Sequence, residues 1–204
     1  VDRLIPFLRD TRWYLVRNIL SVLGQMRATV AVKHIKPLVT HDDLRVRREA
    51  LTALSLIGEG EAMDALLSLV RDPDPRMRVS AASSLARLGR IAVNPLLQIV
   101  LAKDFESRPL EEKRGFFEAL GRTNATDLLP YLKMLLNKKP LFNKKEAEEM
   151  RVCAVEALSR MKGPEALALL AVADKDASSM VRAAVTGAQR RRRESDDGEE
   201  SGDV

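Results

Sequence analysis

The stretch Arg45–Gly58 reads RVRREALTALSLIG, and near-copies return as RMRVSAASSLARLG at Arg76–Gly89 and as MRVCAVEALSRMKG at Met150–Gly163. In the first copy the apolar or small positions are Val46, Ala50, Ala53, Leu54 and Ile57. In the last they are Met150, Ala154, Ala157, Leu158 and Met161, at the same offsets. Offsets of four, seven, eight and eleven residues trace one face of a helix with 3.6 residues per turn. The buried stripe is rich in small side chains, which let neighbouring helices approach closely.

Searching outward, an apolar residue followed by Arg opens the recurring helix at Val16-Arg17, Val46-Arg47, Met77-Arg78, Met150-Arg151 and Val181-Arg182. One interval is twice the others. EEKRGFFEALG from Glu111 fills it, with Lys113 or Arg114 in the arginine position. A second apolar-periodic segment precedes each such helix, as in EAMDALLSLV (Glu61–Val70) and PEALALLAV (Pro164–Val172). Between the two, RDPDPR offers Asp74 as an N-cap and Pro75 at the first helical position, where its missing N–H costs nothing. Gly24, Gly58, Gly89, Gly121 and Gly163 fall near the ends of the second helices, where a left-handed residue closes a helix.

The repeating unit is therefore helix, turn, helix. A lone pair of such helices leaves one apolar face uncovered, so each copy needs a stacked neighbour. The expected array spans residues 1–193, in units of about 1–27, 28–58, 59–89, 90–123, 124–162 and 163–193. Residues 194–204 carry six acids and no base and are expected to be a disordered acidic tail.

The units resemble HEAT repeats of the short bacterial type called PBS-lyase HEAT-like, most closely in DPDPRMRVSAASSLARLG, Asp72–Gly89. The resemblance implies an all-α fold, a right-handed α-solenoid of about six helical hairpins. It also implies a hydrogen-bonded ladder between adjacent units, formed by the Asp before the second helix and the Arg inside it. By position the members are Asp43 with Arg47 and Asp74 with Arg78, continued by Arg151 and Arg182. Asp10 with Arg17 and Asp176 with Arg182 fit the spacing less well.

Composition narrows the chemistry. The 204 residues are 46% hydrophobic but only 4% aromatic, with one Cys and two His. A single Cys153 excludes an internal disulfide, and the histidines lack companions for a metal shell. No phosphate-binding Gly loop or nucleophile elbow is present. Cys153 reads as a buried thiol, and acids at helix starts are explained by the helix dipole. We therefore expect no catalytic residue, no metal and no cofactor. The absence of a long apolar run and the lone cysteine suggest a soluble, cytoplasmic protein with no membrane role. Because the chain begins with Val1, it is expected to be part of a longer polypeptide.

Departures from the repeat mark candidate sites. Trp13 and Tyr14 adjoin in RWYLVR, either as an aromatic anchor for a partner or as a cap over the end of the core. In LNKKPLFNKKEAEEMR, Lys138, Lys139, Lys144 and Lys145 bracket Leu141 and Phe142. That loop either presents an apolar tip to an acidic partner or nucleic acid, or tucks its apolar pair under the array. The run Arg190–Arg193 is either a nucleic-acid or import signal or a C-terminal cap, with Arg192 placed where fraying is expected.

The leading expectation is a protein-interaction scaffold that binds a protein partner on its concave face. The contacts would be Arg48, Arg87, Arg122 and Arg160 on the second helices, with the Lys138–Lys145 loop. Residues 1–193 carry a net charge of +11, which makes nucleic-acid binding the alternative. A chromophore-handling role like that of bilin lyases is a further alternative, implied by the resemblance alone.

Overall fold

The computed structural model describes residues 1–138 and 143–200, with side chains up to Arg192. The fold is all-α, a HEAT/armadillo-like repeat solenoid with eleven α-helices among the described residues. The chain divides into two compact units, Val1–Leu88 and Gly89–Val204.

The first unit opens with a 3-10 turn, Ile5–Arg9, followed by α1 (Trp13–Gln25), α2 (Val32–Ile35), α3 (Leu44–Ile57), α4 (Glu61–Leu69) and α5 (Pro75–Ala86). A 3-10 turn, Lys36–Thr40, extends α2. Asp74 caps α5 as the sequence predicts, with Pro75 at its start, and Asp43, expected in the ladder, caps α3 in the same way; each accepts the backbone N–H two residues on, at 2.8 Å. Helix α1 packs along α3 and α3 along α5, while α4 covers α3 and α5 from the other side. Val16, Leu20 and Leu23 of α1 and Val46, Ala50, Ala53 and Leu54 of α3 are fully buried.

The second unit contains α6 (Val93–Val100), α7 (Leu110–Arg122), α8 (Leu129–Asn137), α9 (Lys144–Arg160), α10 (Pro164–Ala173) and α11 (Ser179–Glu200). Helix α9 lies between α7 and α11 and also meets α8 and α10. Its stripe Met150, Cys153, Ala154, Ala157 and Leu158 is buried, so the thiol is a packing atom. Phe105, Phe116 and Phe117 form a buried aromatic cluster beside it, with ring centroids 5.7 and 6.3 Å from Phe105.

Two glycines have a role different from the one predicted. Gly58, Gly89 and Gly163 do adopt positive φ at helix boundaries, whereas Gly24 and Gly121 are helical. A Cβ on Gly24 would lie 2.8 Å from the Cα of Ala53, and one on Gly121 would lie 2.8 Å from the Cα of Ala157 and collide with its carbonyl oxygen. Both mark the point where one second helix touches the backbone of the next. The left-handed closure passes instead to Arg27 and Asn124, with φ of 49° and 52°.

Candidate functional site

The turn before α1, α3, α5 and α11 fixes a common register. Two residues ahead of the cap, a side chain accepts the backbone N–H of the capping residue. Asp10 serves Arg12, Asp72 serves Asp74 and Asp176 serves Ser178, each at 2.8 Å. His41 takes this place in the second repeat, where its Nδ1 accepts from Asp43 N–H at 3.0 Å. Six residues beyond this acceptor comes the ladder position, occupied by Val16, Arg47, Arg78 and Arg182. The sequence expectation placed Arg17 there, but Arg17 lies one residue further on. It is exposed and donates to Asn18 at 3.1 Å.

The ladder residues act mainly as struts to the inter-helix turns. Arg78 Nη1 donates to the carbonyls of Asp72 and Pro73 at 2.7 and 2.9 Å, and Arg182 Nη1 donates to those of Asp176 and Ala177 at 2.6 and 2.9 Å. In the fourth repeat the structure selects Lys113 over Arg114: its Nζ donates to the Glu106 carbonyl at 2.9 Å and to Glu149 at 2.5 Å. Lys113 is 1% exposed. Arg151 bonds the Lys138 carbonyl and pairs with Asp176 at 3.0 Å, linking successive repeats. The expected Asp43–Arg47 rung is not formed. Asp43 instead caps α3 and pairs with Arg45 at 2.7 Å, while Arg47 Nε is buried without a hydrogen-bond partner. Asp74 likewise accepts the Arg76 N–H as the cap of α5.

With the register set, the outward residues of the second helices fall into rows. In the first unit these are Tyr14, Arg45 and Arg76, then Arg17, Arg48 and Val79, then Ser21, Thr52 and Ser83, and last Gln25, Leu56 and Arg87. The spacing of three, four and four residues keeps each set on one helix face. Arg48, Arg76 and Arg87 are exposed and make no ion pair among the described residues. Arg45 covers Trp13, its guanidinium carbon 3.3 Å from the ring centroid, and Tyr14 meets the ring edge-on at 5.9 Å. Trp13 is thus held inside the unit. Tyr14 is half exposed.

The equivalent rows of the second unit contain Glu111 and Glu149, then Arg114 and Val152, then Glu118 and Glu156, and last Arg122, Arg160 and Arg191. Here the arginines are paired internally. Glu118 Oε1 accepts from Arg122 at 2.7 Å and Arg160 at 2.8 Å. Glu156, only 6% exposed, binds Arg114 at 3.2 Å and Arg191 at 3.1 Å, tying α7, α9 and α11 together. Arg192 donates to the carbonyls of Leu158 and Met161 at the end of α9. This position therefore docks where fraying was expected.

Of the contact residues predicted from sequence, Arg48 and Arg87 are exposed in the first unit, while Arg122 and Arg160 share Glu118 in the second. Lys138 pairs with Glu106 at 3.2 Å, Lys145 approaches Glu149 at 4.0 Å, and Lys144 opens α9. Lys139, Leu141 and Phe142 lie outside the described residues. Glu118, Glu156 and Arg191 were not anticipated, although the change from hydroxyl to carboxylate at one repeat position is visible once the register is known. Among the described residues, no group of three or more His, Cys, Asp or Glu is arranged to hold a metal ion. Burial pushes the Cys153 thiol up to about 12, far from a thiolate nucleophile at neutral pH. No helix of the described residues is long and apolar enough to cross a membrane.

The sequence profile of HEAT repeats matches residues 1–86 and 41–109, together more than half of the chain. The chain belongs to the HEAT-repeat family. Among solved structures, the CpcE–CpcF complex of phycocyanin lyase from Nostoc sp. PCC7120 matches with a TM-score of 0.50 and 22% identity, over 92% of this chain and 74% of that one. Human deoxyhypusine hydroxylase in complex with glycerol matches with a TM-score of 0.42 and 17% identity, over 92% and 82% of the two chains. A designed armadillo repeat protein in complex with the peptide (KR)4 matches with a TM-score of 0.38 and 15% identity, over 92% and 97%. The first of these likenesses shows the HEAT fold and nothing finer. No curated protein matches the chain by sequence.

Proposed function

We propose that this HEAT-repeat protein is a non-catalytic interaction scaffold that binds a protein partner on the outward rows of its second helices. One observation carries the reading: among the described residues the first unit exposes Arg48, Arg76 and Arg87 without carboxylate partners, while the same rows of the second unit are paired internally. Exposed arginines together with half-exposed Tyr14 and the exposed Leu56 give the mixed polar and apolar surface that protein interfaces use. The phycocyanin lyase structure, itself a complex of two chains, is consistent with this use of the fold.

The test is cross-linking of the tagged protein in its native cells, wild type against the double variant Arg48→Glu/Arg87→Glu. Both positions are exposed, so the variant keeps its fold, which circular dichroism checks. The scaffold reading expects specific cross-linked partners that the variant loses. A partner set unchanged by the reversal removes this surface from the function. Nucleic-acid binding is the competing reading of the same arginines. A mobility shift with single-stranded DNA across a salt series separates the two, since phosphate binding falls steeply with salt.

A further inference from the structure

We propose that the outward face of the first unit receives the carboxylates of an acidic segment of a partner protein, in the places that Glu118 and Glu156 fill in the second unit. This rests on the scaffold reading above and specifies its partner. The two units present the same helix faces in the same register. In the second, the middle row supplies carboxylates and the flanking arginines close on them at 2.7 to 3.2 Å. In the first, that row holds Ser21, Thr52 and Ser83, so the rows of Arg48 and Arg87 flank hydroxyl side chains in place of carboxylates.

Guanidinium groups with no counter-charge, set beside hydroxyl groups, match carboxylate acceptors from outside the chain. Thr52 donates to the Arg48 carbonyl at 3.0 Å and, being uncharged, leaves the Arg48 guanidinium without a counter-charge. Leu56, exposed within the same face, favours a polypeptide that interleaves acidic and apolar side chains. A single-stranded nucleic acid fits less well, because base stacking needs open rings. The guanidinium of Arg45 lies over the Trp13 ring at 3.3 Å, leaving Tyr14 as the exposed ring on these rows.

The probe is a fluorescein-labelled 16-residue peptide of four Glu-Glu-Leu-Ser repeats, titrated with the whole chain at low salt and followed by anisotropy. We expect saturable binding that weakens by about tenfold in Thr52→Glu/Ser83→Glu, where built-in carboxylates occupy the site, and by a similar factor in Arg48→Glu/Arg87→Glu. Thermal melts verify that both variants stay folded. The matching Lys-Lys-Leu-Ser peptide should not bind, and oligo-dT of 16 nucleotides should bind more weakly than the acidic peptide.

Unchanged affinity in Thr52→Glu/Ser83→Glu overturns the proposal, and so does tighter binding of oligo-dT. If the peptide fails to bind while cellular cross-links still depend on Arg48 and Arg87, the acidic partner is wrong and the scaffold reading stands. If neither depends on these arginines, both fall.

Discussion

At the fifth residue past the ladder position, the first unit places Ser21, Thr52 and Ser83, and the second places Glu118, Glu156 and Gly187. The glycine seam occurs in both units and the turn acceptor recurs at Asp10, His41, Asp72 and Asp176, yet the side chains of this row differ in kind. In the second unit Glu118 and Glu156 satisfy four arginines and connect three helices, so the face is internally matched. In the first, the same face remains charged and open. A repeat array can therefore close the face of one segment on itself and leave that of another open by changing side chains along these rows, without altering the fold.

The sharpest way to break this contrast lies at the ladder position. Lys113 is buried and bound to Glu149, whereas Arg47 is half-buried with its Nε unpartnered. Lys113→Ala strands a carboxylate and should cost about 3 kcal/mol, since removing one member of a buried pair leaves the other unmatched. Arg47→Ala should cost less than about 1 kcal/mol. Denaturant unfolding of the two variants measures both, and equal losses would mean that the units are held in the same way.

Next come the glycines, which test what the units have in common. Gly121→Ala drives a methyl group into the Ala157 backbone and Gly24→Ala drives one into that of Ala53, so each should cost about 2–3 kcal/mol. A near-neutral effect at either would show that the helices separate there with ease. Smaller effects follow in the distinguishing row. Glu156→Gln leaves Arg114 and Arg191 without their carboxylate and should cost about 1–2 kcal/mol, while Thr52→Glu, installing the missing charge one turn from Arg48, should stabilise by about 0.3–0.5 kcal/mol. Thermal melts of the pair give opposite signs if the comparison holds.

Much of the fold was legible because its causes are local. The offsets from Val46 to Ile57, the Asp74-Pro75 cap and the small-residue stripe each concern residues within one helix or turn. The misplacements arise where a neighbour decides. Gly121 near a helix end is compatible with closure or with close approach, and only the position of Ala157, 36 residues away, selects between them. Arg17 follows an apolar residue as Arg47 does, but the Asp10–Arg12 turn shifts the register by one and puts Val16 in its place. The Glu156 pairs join residues 35 and 42 apart and depend on that register, so they became visible only once the helices were aligned.

The smallest expected effect concerns acid. The second helices of the first unit are entered through ionised acids: the Arg45 side chain, hydrogen-bonded to Asp43, holds its carboxyl at about 2, and Arg12 does the same for Asp10. In the second unit α7 and α9 are entered through Pro109 and Asn143, which carry no titrating group, and α11 is the helix preceded by a turn acid, Asp176, which accepts the Ser178 N–H. A carboxyl whose folded pKa is depressed stabilises the native state above its ordinary value near 3.8 and loses that contribution as pH falls toward 2. Asparagine caps a helix as well as aspartate does, so Asp43→Asn removes the charge pair while keeping the cap. The variant should be slightly less stable than wild type at pH 7, and the gap should close between about pH 4 and pH 2. Melting curves of both proteins across that window decide it, and a gap that stays constant down to pH 2 would mean that the Asp43–Arg45 pair adds nothing beyond its cap hydrogen bond.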